Sequence, residues 1–192
     1  MNDGNLHLHK TKIGASQLCY FINGHKNGIG SYLCGMEIVL LCVGKTADKE
    51  DEEQLQHFQQ RLSRYVNFQL LSLPPQKINK KNQIHFQRTK EEERLQSQIK
   101  PHDYVILLDE RGKQFSSMTF AQELDKIQHL GCKRIVFIVG GPYGFSTGFK
   151  QQFPKHLALS KMTFSHQMIR LFFCEQLYRA YTILNNHPYH NE

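Results

Sequence analysis

The 192-residue sequence contains no tryptophan, few prolines and no long apolar run. A membrane-spanning helix needs about 18 or more consecutive apolar residues. No stretch approaches that length, so we expect a soluble protein that does not cross a membrane. Cysteine is also scarce, and an odd number of scattered cysteines without a C-x-x-C pair argues against a disulfide framework and a zinc site, and favours a reducing cytoplasm. The cysteines are Cys19, Cys34, Cys42, Cys132 and Cys174.

Acidic residues are outnumbered by basic ones. Lys and Arg total 24 against 17 Asp and Glu, which gives a formal net charge of +7 and an isoelectric point near 9.2. A basic excess of this size favours an anionic partner such as nucleic acid, although many proteins without one have the same balance. The hydrophobic fraction of 40% is ordinary for a globular protein, and the length suits one domain.

Residues 1–35 differ in composition from the rest of the chain. They are rich in glycine, and Asp3 is their only acidic residue. We expect this segment to lie outside the fold, either as a disordered leader or because the translation start was placed too far upstream. The folded domain is then expected over residues 36–192. His7 and His9 could bind a metal, but two histidines alone are more often incidental, and no metal is expected.

Short apolar runs alternate with helical patterns along residues 36–192. Five runs are typical of strands buried in a sheet: 37–43, 67–73, 103–108, 134–139 and 156–160. Four segments are typical of helices, the third capped by Ser116 or Ser117 and the last apolar almost all round: 47–66, 88–99, 118–131 and 166–184. The alternation predicts an α/β fold with a mostly parallel sheet flanked by helices. A basic loop with Lys77, Lys80 and Lys81 either contacts phosphates or is simply solvated.

A glycine-rich turn follows the fourth strand in the sequence RIVFIVGGPYGFSTGF. It matches neither G-x-G-x-x-G nor G-x-x-x-x-G-K-[ST], so a nucleoside triphosphate is disfavoured. Gly140 and Gly141 allow close approach of the backbone, and Pro142 stiffens the turn. This pattern suits a neutral ligand, such as an adenine, that hydrogen-bonds to main-chain groups. A tight structural turn without a ligand is the alternative.

Four segments occur together in a specific order: VILLDERGKQFSS, FIVGGPYGFS, LALSKMTFSHQMIR and EQLYRAYTILNNHPYH. In these motifs the chain resembles the SPOUT-class methyltransferases, and specifically the ribosomal large-subunit methyltransferase H family, over essentially all of residues 36–192. The resemblance implies a deep trefoil knot in the C-terminal part, an exception to unknotted chains. It also implies a homodimer that binds S-adenosylmethionine and methylates N3 of a pseudouridine in 23S rRNA, on the assembled ribosome.

The resemblance also assigns residues. It places the cofactor against Leu108, Gly140, Gly141, Leu159, Ser160, Lys161, Met162, Thr163 and Phe164, with Pro142 shaping the same pocket. Tyr189 and His190 are expected near the target base, where they recognise it or handle its proton. Two departures from the family pattern are Asn191, where a basic residue is usual, and Ser165, where proline is common.

Several polar residues keep two interpretations. Arg170 lacks an evident partner on the last helix and could face RNA phosphate, and Lys113 could either contact RNA or solvate its loop. Glu175 and Arg179 are spaced to form an intrahelical ion pair. His166 is expected to cap the last helix or to pack locally.

Two other functions stay open beside the main one. The chain could be a knotted protein that binds ribosomal RNA without methylating it, or a methyltransferase of the same fold that acts on tRNA. The absence of a separate RNA-binding domain argues against tRNA, because free tRNA needs more contact surface than this chain offers.

Overall fold

The computed structural model describes residues 35–75 and 84–189. The expectations about a leader, about the lysine-rich loop and about His190 fall on residues outside these ranges and stay predictions. Within the described residues, no helix is long and apolar enough to cross a membrane.

A five-stranded sheet forms the centre of the domain, and all of its strand pairs are parallel. In spatial order the strands run β2-β1-β4-β3-β5. The prediction of an α/β fold with a mostly parallel sheet is therefore confirmed. The strands are β1 (Glu37–Val43), β2 (Asn67–Leu73), β3 (Tyr104–Gln114), β4 (Arg134–Val139) and β5 (His156–Ala158).

Five described helices connect the strands: α1 (Lys49–Leu62), α2 (Ile84–Gln96), α3 (Ser117–His129), α4 (Thr147–Gln152) and α5 (Met168–Leu184). The Asp48 side chain accepts from the backbone N–H groups of Glu50 and Asp51 and so starts α1. Ser116 caps α3 by accepting from the N–H of Thr119, which confirms one of its two candidate caps. The sequence did not predict α4, a helix of six residues that begins at the end of the segment interpreted as a turn and continues to Gln152.

The hydrophobic core lies on both faces of the sheet, because helices cover β1 and β4 from both sides. On one face, alternate strand residues such as Val39 and Ile138 pack with Leu95 of α2 and Phe149 of α4. On the other face, α5 lies between α1 and α3, and the Phe137 ring of β4 meets Phe173 of α5 with ring centroids 4.5 Å apart. The uniformly apolar strands and the largely apolar final helix are both explained by this two-sided burial.

Strand β3 is longer than predicted, because pairing with β5 resumes after an interruption. Leu108 pairs with Leu157, and Lys113 pairs with the same Leu157 after a register shift. The four residues between them, 109–112, therefore leave the ladder and project from the sheet, as in an enlarged β-bulge. The segment DERG, which follows the predicted strand 103–108, is thus held at both ends by hydrogen-bonded strand.

Candidate functional site

A cleft of about 540 Å³ opens where β3, β4 and β5 end. In parallel sheets, ligands bind beside the carboxyl ends of the strands. Three segments form the walls: the projecting residues 109–111, the glycine turn 140–145 and the segment 159–166 that follows β5. The volume lies within the range of about 300–1,000 Å³ that small-molecule sites occupy.

The two glycines at the start of the turn are packed closely against Glu91 of α2 and the Phe145 ring. A Cβ at Gly141 would collide with the carboxylate of Glu91, whose Cδ lies 3.1 Å from that position, and a Cβ at Gly140 would meet the Phe145 ring at 3.2 Å. Glu91 is 4% exposed and accepts a hydrogen bond from Gln87 Nε2 at 2.8 Å, so its carboxylate has little freedom to move away. Gly141 is therefore required by close approach, and a side chain at Gly140 would need the Phe145 ring to shift by a few tenths of an ångström.

The end of the turn is fixed by a second carboxylate of α2. Glu92 accepts from the Ser146 backbone N–H at 2.5 Å and from the Ser146 hydroxyl at 2.8 Å. Ser146 Oγ in turn accepts from the N–H of Phe149 and caps α4. The sequence reasoning missed Glu91 and Glu92, because nothing in the run KEEER distinguishes a buried carboxylate from a solvated one.

An ion pair lies inside the cleft. The Asp109 carboxylate contacts the Lys150 ammonium of α4 and accepts from the backbone N–H of Arg111 at 2.9 Å. Burial alone would raise the pKa of Asp109, but the Lys150 ammonium and the Arg111 N–H group outweigh it and hold that pKa below its usual range. Asp109 is therefore ionised at neutral pH, and the pair ties the projecting segment to α4.

The segment after β5 folds back onto the projecting residues. Ser160 Oγ accepts from the N–H of Met162 at 2.9 Å, and Thr163 Oγ1 donates to Glu110 Oε2 at 2.5 Å. His166 also lines the cleft. Burial, and to a smaller extent the charge of Arg170, lower the pKa of His166, so its imidazole is neutral at neutral pH. At the start of α5 the N–H of Met168 donates to Ser165 Oγ at 3.2 Å, and the Gln167 side chain makes no capping hydrogen bond.

The structure brings most of the predicted cofactor residues together. Those that line the cleft are Leu108, Gly140, Gly141, Leu159, Ser160, Met162, Thr163 and Phe164, together with Pro142. Lys161 is exposed and is not among the lining residues. Their contact with a cofactor stays a prediction, but eight of the nine predicted residues, from three segments far apart in the sequence, do meet at one cleft.

The interpretation of Arg170 as an unpartnered, phosphate-facing cation is wrong. Arg170 is fully buried, and its guanidinium donates to the carbonyl of Val43 at 2.6 Å, to the carbonyl of His166 at 3.0 Å and to Thr46 Oγ1 at 3.4 Å. The sequence gave no sign of these partners because all of them except His166 lie more than a hundred residues away. Arg170 therefore joins the start of α5 to the end of β1.

Lys113 is exposed, with its ammonium 4.6 Å from the centre of the Phe115 ring. Its position is compatible with either interpretation, and its role in RNA binding stays a prediction. The predicted ion pair between Glu175 and Arg179 forms, with an N–O distance of 2.6 Å.

Tyr189 lies apart from the cleft lining of its own chain. Its ring stands edge-on to Tyr178 with centroids 4.8 Å apart, and the Arg179 guanidinium lies 4.9 Å from its centre. Burial, and next the nearby Glu175 carboxylate, raise the pKa of Tyr189. The phenol is therefore protonated at neutral pH. Across residues 35–75 and 84–189, no group of three or more His, Cys, Asp or Glu side chains could hold a metal ion.

Comparison with known proteins identifies the family to which the chain belongs. A family model described as predicted SPOUT methyltransferase matches residues 36–190. The chain is 47% identical to the ribosomal RNA large subunit methyltransferase H of Christiangramia forsetii over 156 residues, which are 81% of this chain and 99% of the relative. It is 48% identical to the protein of the same name from Flavobacterium psychrophilum over 158 residues, 82% of this chain and 100% of the relative. The match to the relative from Porphyromonas gingivalis is 46% over 157 residues, with 82% and 100% coverage. The chain therefore belongs to the SPOUT methyltransferase family.

Proposed function

We propose that this protein is an S-adenosylmethionine-dependent methyltransferase that methylates N3 of a pseudouridine in large-subunit ribosomal RNA. The observation that carries the proposal is the cleft, in which the glycine turn, residues 109–111 and residues 159–166 meet at the carboxyl ends of three parallel strands. The names of the relatives, which are large-subunit ribosomal RNA methyltransferases, support the substrate class. The deep trefoil knot that the family implies is part of the same proposal.

The cleft fits the cofactor in both size and chemistry. Leu108, Leu159 and Phe145 supply apolar walls that suit an adenine ring, and the buried Gly140 and Gly141 bring main-chain groups to the same cleft. Since Glu91 leaves no room for a side chain at Gly141, the backbone itself is the surface presented to a ligand. No phosphate-binding motif is present, in keeping with a cofactor that carries no phosphate.

When bound, S-adenosylmethionine supplies an electrophilic methyl group on its sulfonium. The protein must align an acceptor nitrogen with that methyl group and remove its imide proton. The phenol of Tyr189 is protonated at neutral pH and can donate a hydrogen bond to the base. We assign base recognition to Tyr189 and, because an imidazole ordinarily titrates near neutral pH, proton acceptance to His190.

Methyl transfer to ribosomes tests the proposal directly. The protein should transfer methyl groups from S-adenosylmethionine to 70S ribosomes whose pseudouridines are unmethylated, and mass spectrometry of digested RNA should locate the new group on a pseudouridine. Free 23S rRNA and tRNA serve as parallel substrates. Methylation of tRNA alone would favour the second enzymatic alternative, and binding to ribosomes without transfer would favour the non-catalytic one.

Removal of residues 189–192 distinguishes the role of the C-terminal tail from that of the cofactor cleft. The truncated protein should lose turnover, whereas its affinity for S-adenosylmethionine, measured by titration calorimetry, should stay close to that of the full chain. Full activity after truncation would remove Tyr189 and His190 from the mechanism.

Exposed cations near the cleft are the proposed contacts to RNA phosphate. Replacing Lys113 with alanine should lower the salt dependence of RNA binding by about one counterion in the plot of log affinity against log salt. An unchanged slope would leave Lys113 as a solvated side chain.

We also propose that the domain acts as a homodimer. Four apolar side chains around the start of α5 are exposed: Met162 by 73%, Phe164 by 38%, Met168 by 37% and Phe172 by 39%. The rings of Phe164 and Phe172 are 5.0 Å apart, so the exposed groups are contiguous there. Contiguous apolar surface of this kind marks association sites. Sedimentation velocity should show a dimer for the native chain and a monomer for Phe172→Glu.

A further inference from the structure

The chain turns back on itself directly after α5. The N–H of His187 donates to the carbonyl of Thr182 at 2.8 Å, and the N–H of Asn186 donates to the carbonyl of Ile183 at 3.0 Å. Asn186 has a φ of 54°. These two bonds around a left-handed residue form a Schellman motif, in which asparagine is one of the few residues that replaces glycine readily. The motif sends the terminal segment, residues 187–189, away from the axis of α5.

The terminal segment contacts Tyr65, which lies just after the end of α1. The Tyr65 hydroxyl and His187 Nδ1 are 2.8 Å apart and hydrogen-bonded, and the two rings meet edge-on with centroids 5.7 Å apart. Tyr65 is itself held, because its ring stacks on the fully buried Tyr181 at 5.9 Å and an interplanar angle of 20°. The Tyr65 side chain that hydrogen-bonds to His187 is therefore packed against the hydrophobic core of the domain.

Arg61, one turn earlier on α1, holds the next aromatic residue. Its guanidinium lies 5.1 Å from the centre of the Tyr178 ring and 5.8 Å from that of Tyr189. Tyr178 meets Tyr189 edge-on, and the N–H of Tyr189 donates to the carbonyl of His187 at 2.8 Å. A cation beside two aromatic faces attracts both rings. Tyr189 is thus fixed from α1 as well as from α5.

We propose that Arg61 and Tyr65 are positioning residues that set the conformation of the terminal segment and, through it, the place of Tyr189. This inference rests on the proposed function, because it takes Tyr189 to recognise the acceptor base. Neither residue lines the cofactor cleft. Their loss should therefore lower kcat, which depends on the alignment of the acceptor, and leave the affinity for the methyl donor unchanged.

The variant Tyr65→Phe is the sharpest test, since it removes one hydroxyl and keeps the ring that stacks on Tyr181. We expect a loss of about 10- to 100-fold in kcat on ribosomes, the size that a small misplacement of a reacting group produces. The KM and the calorimetric Kd for S-adenosylmethionine should stay within about twofold of the native values. Arg61→Gln should give the same split, and Arg64→Gln, an exposed cation three residues further along the chain, is the matched control.

A double-mutant cycle distinguishes positioning from general packing. His187→Phe keeps an aromatic ring and removes the partner nitrogen, so it should reduce kcat about as much as Tyr65→Phe. If the two residues act through one hydrogen bond, the double variant should be no worse than either single variant.

Each outcome bears on one hypothesis. A native protein that neither binds S-adenosylmethionine nor methylates ribosomes contradicts the proposed function. Native activity with an unchanged kcat in Tyr65→Phe and Arg61→Gln overturns the positioning role. Equal losses in kcat, donor affinity and thermal stability would show a merely structural role, and an equal loss in Arg64→Gln would show a general charge effect. Both of these results also overturn the inference.

Discussion

Gly112 is the position where the fold and the cleft depend most directly on the absence of a side chain. It ends the projecting segment of β3, where β5 passes close by. A Cβ at Gly112 would lie 2.7 Å from three backbone atoms, the carbonyl carbons of His156 and Leu157 and the nitrogen of Leu157. Backbone atoms of a paired strand have no rotamer by which to withdraw, so Gly112→Ala must displace β5.

The cost of this substitution follows from two effects. Overpacking a well-packed site costs about 1–3 kcal/mol. Displacement of β5 also weakens its pairing with β3, at about 0.5–1.5 kcal/mol for each hydrogen bond lost. We therefore expect the free energy of unfolding to fall by about 2–4 kcal/mol, which for a domain of this size lowers Tm by about 4–16 °C. Because β5 leads directly into residues 159–166, the affinity for S-adenosylmethionine should fall as well.

Urea denaturation followed by circular dichroism measures the first effect, and titration calorimetry measures the second. Gly148→Ala is the matched control, since a Cβ at Gly148 in α4 meets no heavy atom within 4 Å. That variant should be neutral or more stable by up to about 1 kcal/mol, because alanine favours helix over glycine. Gly112→Ala with a stability within about 0.5 kcal/mol of the native chain and native donor affinity would refute the close-approach argument.

Three further predictions concern the braces of the cleft and the tail. Glu92→Ala should lower the free energy of unfolding by about 2–3 kcal/mol, since it removes the acceptor of two hydrogen bonds from Ser146, and it should weaken donor binding in calorimetry. Glu93 is exposed on the same helix, so Glu93→Ala should do neither, and equal effects of the two variants would contradict the bracing role of Glu92. Asn186→Gly should leave stability unchanged within about 0.5 kcal/mol, whereas Asn186→Ala should cost about 1 kcal/mol because of the left-handed φ; equal urea midpoints for the two variants would argue against the motif. The lowered pKa of Asp109 makes its stabilising contribution complete above about pH 4 and lost as the pH falls through the folded-state value. Lys150→Met should therefore destabilise the protein at about pH 7, and this loss should shrink steadily as the pH is lowered below about 4 in urea titrations; a loss that does not change with pH would speak against the pair.

The alternation of apolar strands and amphipathic helices was sufficient to predict the sheet. Asn67–Leu73 and Arg134–Val139 have the predicted bounds, and each ends directly before a residue that breaks a strand, Pro74 and Gly140 respectively. The continuation of β3 through DERGKQ was not predicted, since six consecutive residues without an apolar side chain carry no strand periodicity and the second half of the strand exists only through its pairing with β5. Long-range pairing of this kind overrides local pattern.

The candidate site also contains residues that the sequence identified and residues that it did not. The glycine turn and the segment after β5 were identified from sequence because their residue types are unusual in themselves. Glu91, Glu92 and Arg170 were missed or misread because their environment is set by partners far along the chain. A charged side chain looks the same in a sequence whether it is solvated or buried, and burial changes its role from surface recognition to structural support.

The burial of Arg170 also changes where an RNA phosphate can be met. A cation fully enclosed at the junction of β1 and α5 cannot exchange its carbonyl partners for a phosphate without leaving those carbonyls unpaired, which costs about 1–3 kcal/mol for each. The exposed cations Arg111, Lys113 and Lys161 carry no such cost, and all three lie in or beside the segments that form the cleft. Under the proposed function, these three side chains are therefore better placed than Arg170 to attract RNA towards the cleft. The register shift in β3 brings Arg111 into the cleft wall and leaves Lys113 where pairing with β5 resumes, so on that proposal one feature of the sheet serves both the methyl donor and the RNA.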